Sequence, residues 1–340
     1  MRLCITGGGT GGHLVIAEAL AQAAVKDGHE VIFIGSTSGQ DRKYFQSKTL
    51  FSDVYFLETT GVVNKQGINK LNALWRVFKA FIQSRKILKQ HKIEAVYSVG
   101  GFSAAPASFA AISKLIPLFI HEQNAVEGRL NSLLKPFAKR FISAYDENSP
   151  IKGYPVKEGY FTSSRVRKEL KTIIFLGGSN GAKAINDLAL AVCKELDGLG
   201  IDIIHQTGEK DFERVKKGYE ELGVDVELYA FTNELQALMS RADLAVSRAG
   251  ASTLWELCAN GLPAFFIPFP HAASDHQYHN ARFIVENRLG WCERESAGLE
   301  SKLLLILKEK LSAKSEALFE HSNRDVAAKM IKDVAEVINA

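Results

Sequence analysis

Three times in this chain a short apolar run ends in a cluster of glycines. Residues 2–6 lead into Gly7-Gly8-Gly9-Thr10-Gly11-Gly12-His13, and residues 95–99 into Gly100-Gly101-Phe102-Ser103-Ala104-Ala105-Pro106. Residues 172–176 lead into Gly177-Gly178-Ser179-Asn180-Gly181-Ala182. After the first cluster an alanine- and leucine-rich stretch predicts a helix to about Lys26. Strand, glycine turn and helix make up the anion-cradling unit of doubly wound α/β folds, because a helix start presents N–H groups and a partial positive charge. The unit recurs in both halves of a 340-residue chain. That predicts two doubly wound domains of ordinary size. Gly153-Tyr154-Pro155-Val156-Lys157 is the expected connection, a glycine and a proline between two strand–helix series. Further strands are expected at 30–34, 118–120, 140–143, 202–204 and 244–246, and helices at 68–90, 131–140 and 322–339.

Composition excludes several classes. With 46% hydrophobic and 24% charged residues the chain is not broadly disordered. Cys4, Cys193, Cys258 and Cys292 form no C-x-x-C pair, which argues against a zinc site and fits a reducing compartment. No apolar run approaches the length of a membrane span. The first residues read as a strand, not as a signal peptide. Residues 1–157 hold 20 Lys/Arg and 11 Asp/Glu, a net +9, which leaves −5 on the remainder of a chain whose total is +4. A basic first half suits an anionic partner, either nucleic acid or an anionic membrane surface. It lacks the interleaved aromatic platform of single-strand binders, so nucleic acid ranks low. NAD is disfavoured too, since the second strand ends in Gly35-Ser36-Thr37 and offers no acid for a ribose.

The expected helix at 68–90 carries two apolar lines. One is Ile68, Leu71, Trp75, Phe78 and Ile82; the other is Leu74, Phe81 and Leu88. Eight bases lie between Glu58 and Glu94 (Lys65, Lys70, Arg76, Lys79, Arg85, Lys86, Lys89 and Lys92), with no acid among them. One line is expected to pack on the sheet. Two are more than a surface helix needs. Either both are core and the bases a solvated face, or Trp75, Phe78, Ile82, Lys79 and Arg85 meet a membrane surface.

Two polar clusters stand where such sheets bind ligands, at the carboxyl ends of strands. His121-Glu122-Gln123-Asn124 follows residues 118–120. A hydrogen-bonded turn would explain it equally well. The second cluster opens Arg248-Ala249-Gly250-Ala251-Ser252-Thr253-Leu254-Trp255-Glu256 and closes Asp275-His276-Gln277 with Asn280-Ala281. Gly250 allows a sharp turn, Ser252 or Thr253 suits a helix cap, and Glu256 stands where a carboxylate could accept from two ribose hydroxyls. The plainer account is a helix start with an acid in its first turns.

Jointly, residues 6–13, the runs VGGFSAAP, HEQN and FLGGSNGA, residues 248–256 and the DHQ–NA end resemble the GT-B glycosyltransferases over essentially the entire chain. Among these they resemble the bacterial cell-wall enzymes that move N-acetylglucosamine from UDP-GlcNAc onto lipid I, a polyprenyl-diphosphate acceptor. The resemblance implies an α/β fold of two Rossmann-like domains facing across a cleft. Residues 1–156 would bind acceptor and membrane, 157–324 would bind UDP-GlcNAc, and a last helix at about 325–340 would pack back on the first domain. It implies an inverting transfer with His13 as base and Glu122 as the second candidate. Donor contacts would come from Thr10, Gly11, Gly12, Asn124, Gly178, Ser179, Asn180, Gly181, Phe231, Thr232, Arg248, Gly250, Ala251, Ser252, Thr253, Glu256, His276 and Gln277. The acceptor would rest on Gly7, Gly8, Gly9, Gly100, Gly101 and His121. Lys157, where the family usually has arginine, is a candidate diphosphate contact. No Asp-x-Asp pair is present for a metal–diphosphate bridge, so no cofactor is expected to be required, and Mg²⁺ is expected at most to stimulate. The implied location is peripheral, on the cytoplasmic face of the inner membrane, with cell-wall synthesis proteins as candidate partners. A UDP-sugar epimerase of the same fold is the alternative.

Overall fold

A parallel sheet covered on both faces reads as near-continuous apolar strands, and the first domain is built on such a sheet. In the computed structural model, which describes residues 1–61, 66–178 and 181–340, its strands are β1 (Arg2–Thr6), β2 (Glu30–Ser36), β3 (Asp53–Leu57), β4 (Ala95–Ser98), β5 (Leu118–Glu122) and β6 (Arg140–Ser143). All pair in parallel, in the order β3-β2-β1-β4-β5-β6. Leu3, Cys4 and Ile5 at its centre are fully buried. The strand order reverses between β1 and β4, so the crevice of this domain opens where the glycine turns 7–12 and 100–102 end those two strands.

The second domain repeats the winding. Its strands are β7 (Thr172–Leu176), β8 (Asp202–Gln206), β9 (Glu227–Tyr229), β10 (Leu244–Ser247), β11 (Ala264–Phe266) and β12 (Trp291–Cys292), in the parallel order β12-β11-β10-β7-β8-β9. Its switch point lies between β7 and β10, beside Gly177-Gly178 and the helix Ala251–Asn260. The chain divides into Met1–Val156 with Asp325–Ala340, and Lys157–Arg324. The last helix, Val326–Asn339, packs on the helix Gly11–Lys26, and Arg140 Nε donates to Asp333 at 3.2 Å.

Several elements differ from the sequence reading. Strands β5 and β8 run on to Glu122 and Gln206, so His121, Glu122 and His205 sit inside strands. The helix expected at 131–140 is Arg129–Leu134 with a tight turn at Lys135–Phe137, where Pro136 brings no N–H to continue it. The last helix starts at Val326 and not at 322.

The larger difference concerns the helix Gly67–Gln90. Its buried line is Ala73, Ala80, Ser84, Ile87 and Leu88, set against the helix Ala105–Ser113 with its Ala107, Ala110 and Ala111. Of the two expected apolar lines, the second keeps Leu88 buried and Phe81 against the core, while the first stays outside it. Ile68, Leu71, Leu74, Trp75, Phe78 and Ile82 are exposed, Trp75 by 57% and Phe78 by 51%. An alanine-rich neighbour admits only small side chains at close approach, so the large ones fall on the outer face. Trp75 and Phe78 stack there at 5.8 Å, with Lys79 5.6 Å from the Trp75 ring. Lys65 lies outside the described residues. Among those described, no helix is long and apolar enough to cross a membrane.

Candidate active site

The first glycine turn is closed on the protein itself. Gly8 N–H donates to the Gly100 carbonyl at 3.1 Å, and Gly9 N–H donates to Asp41 Oδ1 at 2.5 Å. A side chain on Gly101 would collide with the Gly8 carbonyl, and one on Gly8 would meet the Asp41 carboxylate at 2.6 Å. The amides of Gly8 and Gly9 therefore face inward. The expectation that they cradle an acceptor phosphate is corrected on this ground: the glycines are needed for backbone-to-backbone approach.

The helix Gly11–Lys26 starts directly beyond this turn and carries His13 in its first turn. Thr10 Oγ1 lies 2.8 Å from His13 Nδ1, and the Gln123 amide nitrogen lies 2.9 Å from His13 Nε2. The His13 ring also lies beside Gly100, so both glycine turns and the end of β5 meet at one imidazole. The sequence reading takes His121, Glu122 and Asn124 of the HEQN run as site residues and leaves out Gln123, whose contact with His13 across 110 residues no local pattern signals.

Glu122 and His121 serve this end from within. Glu122 accepts from Asn124 N–H at 2.9 Å, Gly128 N–H at 2.9 Å and Asn131 Nδ2 at 2.8 Å, and is almost fully buried. Its carboxylate braces the loop 122–131. His121 is fully buried with its ring against Tyr154, and burial pushes its pKa down to about 3. A neutral ring closed off from solvent does not reach an acceptor, so the expectation for His121 is corrected. The inward-facing side of β5 carries it instead.

In the second domain Gly250 caps the helix Ala251–Asn260, which places Ser252 and Thr253 in its first turn and not at the cap. Glu256 follows on the second turn. Burial raises its pKa to about 7, against the lowering effects of the Lys157 charge and a hydrogen bond from Tyr160. Lys157 thus lies in the field of Glu256. Arg248 is held by Glu295 and donates to the Ile267 and Pro268 carbonyls at 3.0 and 3.2 Å, so it fixes the chain after β11. Asn280 Nδ2 donates to the Ala249 carbonyl at 3.1 Å and braces the turn before the helix.

His276 and Gln277 start the helix His276–Glu286, behind Ser274 and Asp275 with φ of 52° and 54°. Two successive non-glycine residues in the left-handed region mark local strain. Asp275 is held by Arg294 at 2.6 Å, and that guanidinium lies 3.8 Å from the Tyr278 ring centre. Gln277 Oε1 accepts from Phe269 N–H at 3.0 Å. Phe231 is exposed, and Thr232 Oγ1 accepts from Glu234 N–H at 2.9 Å. Gly178 and Gly181 both take positive φ in the turn after β7, while Ser179 and Asn180 lie outside the described residues. Among the described residues no His, Cys, Asp and Glu side chains gather as a metal site.

Two family descriptions match the chain in succession. The glycosyltransferase family 28 N-terminal domain matches residues 3–143, and the glycosyltransferase family 28 C-terminal domain matches residues 172–337. The chain belongs to glycosyltransferase family 28. A family relative from Sulfurimonas denitrificans is 70% identical over 340 residues, the full length of both chains. It is named UDP-N-acetylglucosamine–N-acetylmuramyl-(pentapeptide) pyrophosphoryl-undecaprenol N-acetylglucosamine transferase. The crystal structure of Acinetobacter baumannii MurG matches with a TM-score of 0.80 at 27% identity, over 98% of this chain and 99% of that one. A putative UDP-N-acetylglucosamine 2-epimerase from Listeria monocytogenes matches with a TM-score of 0.68 at 11% identity, over 99% and 96%. That second likeness is one of fold alone. The two-domain fold is therefore shared with epimerases, and the family is fixed by sequence.

Proposed function

We propose that this chain transfers N-acetylglucosamine from UDP-GlcNAc to undecaprenyl-diphospho-N-acetylmuramoyl-peptide, with inversion at the anomeric carbon. One observation carries this: the 70% identity, end to end, with a relative named for that reaction. The second domain takes the donor. Its helix start at Ala251 and the turn Gly177–Ala182 supply N–H groups for the diphosphate, and no metal bridge is required. Glu256 accepts from the ribose hydroxyls, the exposed Phe231 with Thr232 meets the uracil, and His276 and Gln277 face the sugar.

The first domain takes the acceptor. Its hydroxyl attacks the anomeric carbon as UDP leaves, and His13 removes the proton, an imidazole being matched to neutral pH. Because Gly8 and Gly9 donate inward, the anion site of this domain is assigned to the helix start at Thr10–Gly12. The outer face of the helix Gly67–Gln90 rests on an anionic membrane at the cytoplasmic side, since a polyprenyl tail stays in the bilayer and the site must come to it.

The test is UDP release from UDP-GlcNAc with and without a soluble lipid I analogue, repeated with a chelator. Release that depends on the analogue and persists without divalent metal supports the proposal. UDP release or a new N-acetylhexosamine formed without any acceptor would favour the epimerase reading instead.

A further inference from the structure

Asp41 has no place in the chemistry described so far, yet the first glycine turn is arranged around it. Its side chain is fully buried. Oδ1 accepts from Gly9 N–H at 2.5 Å and Oδ2 from Ser36 N–H at 2.8 Å. The Gly8 backbone passes over the carboxylate so closely that a Cβ there would fall 2.6 Å from Oδ1, and a Cβ on Gly35 would fall 3.0 Å from Oδ2. One carboxylate thus ties the turn after β1 to the end of β2. The residue after Gly9 is Thr10, whose hydroxyl holds His13 Nδ1 at 2.8 Å. The connection runs without a gap from Asp41 through Gly9 and Thr10 to His13.

We infer that Asp41 is a positioning residue of the transfer reaction, which sets where Thr10 and His13 stand and so acts on turnover and not on donor binding. This rests on the reading of His13 as base. A buried carboxylate suits the task because both its oxygens accept, as two inward-pointing N–H groups require. Burial pushes its pKa up while the Gly9 and Ser36 N–H groups hold it down. Asparagine has the same shape but turns an NH₂ group toward one of those donors.

The experiment compares D41N and G8A with E18Q in the full-length protein. Glu18 is another buried carboxylate of this domain, on the helix Gly11–Lys26, joined to Tyr44 at 2.7 Å and Lys48 at 2.5 Å. Turnover with a soluble lipid I analogue, the UDP dissociation constant and Tm are read for each. D41N is expected to lower kcat by about 10²-fold, the scale of a 1 Å misplacement, with UDP affinity unchanged. G8A, which lifts the turn off an intact carboxylate, should do the same if D41N proves too unstable to assay. E18Q should lower Tm without that loss of kcat. In an H13A background D41N should cost little more, since both changes act on one group. The inference is overturned if D41N keeps wild-type kcat. It is also overturned if D41N and E18Q lose kcat equally at equal loss of Tm, or if UDP affinity falls in step with kcat. If H13A itself keeps wild-type turnover, the base assignment fails, and an undiminished kcat-only loss in D41N then still supports a positioning role for the turn.

Discussion

The Gln123 amide nitrogen lies 2.9 Å from His13 Nε2 and 3.3 Å from Nδ1, so it rests against the imidazole ring and not along one lone pair. Thr10 holds Nδ1 from the side at 2.8 Å. The two neighbours hold the ring in orientation, and an imidazole is the side chain matched to proton transfer near neutral pH. His13→Ala is expected to cost ~10²–10⁴ in turnover with UDP binding intact. Gln123→Ala, which frees the ring without removing it, should cost less. Single-turnover rates beside UDP titrations check both, and an active H13A enzyme would sink the assignment.

Glu122 is expected to behave as a structural acid. Three donors converge on it from Asn124, Gly128 and Asn131. Replacing it with glutamine turns an NH₂ group toward some of them, at roughly 1–3 kcal/mol for each donor left unpaired. Glu122→Gln should therefore lower Tm and turnover together and leave the shape of the pH–rate profile unchanged. Loss of one limb of that profile at constant Tm would make Glu122 the base and reverse the roles.

Nucleotide affinity should depend on pH through Glu256. Its pKa is raised to about 7 by burial, so near neutrality the free protein holds a mixture of acid and carboxylate. Ribose hydroxyls donate to the carboxylate, so binding below about pH 7 releases a proton. UDP affinity should rise with pH and level off above that point. Glu256→Gln should flatten the dependence, and Glu256→Ala should lose roughly 1–3 kcal/mol. Folding carries the opposite sign. The neutral acid's contribution is full below the unfolded value of 4.5 and is lost as pH rises through about 7. Calorimetry in buffers of different ionisation enthalpy measures the proton directly, and a flat profile in the unmodified protein would reject the account.

How much of this the sequence shows depends on what each residue type can signal. Glycine turns after apolar strands announced both doubly wound domains, because strand period and turn chemistry are local. The function of the turns was not local. A glycine run looks the same whether its amides open to a ligand or close on Gly100 and Asp41. Asp41 reads as an ordinary loop acid until β1 and β2 are side by side. Glu256 was legible because acid and helix start are close in sequence, whereas Lys157 and Tyr160 reach it from about 100 residues away. On the helix Gly67–Gln90 the period of the large residues does not single out the packing face, which Ala73, Ala80, Ile87 and Leu88 form, since spacing alone does not say how near the neighbour will come.

That helix gives the last prediction. Trp75 and Phe78 are exposed, stacked on each other and flanked by Arg76, Lys79 and Arg85, while the packing is carried by Ala73, Ala80, Ile87 and Leu88. Trp75→Ser with Phe78→Ser removes apolar surface from water-facing positions, so stability should move by no more than about 0.5 kcal/mol. Binding to anionic vesicles should be lost. Lys79→Gln with Arg85→Gln should weaken the binding and its response to salt, each base contributing about 1 kcal/mol near an anionic surface. Ala80→Leu is the converse control. It forces a larger side chain against the alanine face of the helix Ala105–Ser113, at a cost of about 1–3 kcal/mol, and leaves Trp75, Phe78, Lys79 and Arg85 in place. Vesicle co-sedimentation and thermal melts on the same four proteins decide the matter. A large fall in Tm for the Trp75/Phe78 pair, or vesicle binding that survives it, would mean that this face meets something other than lipid.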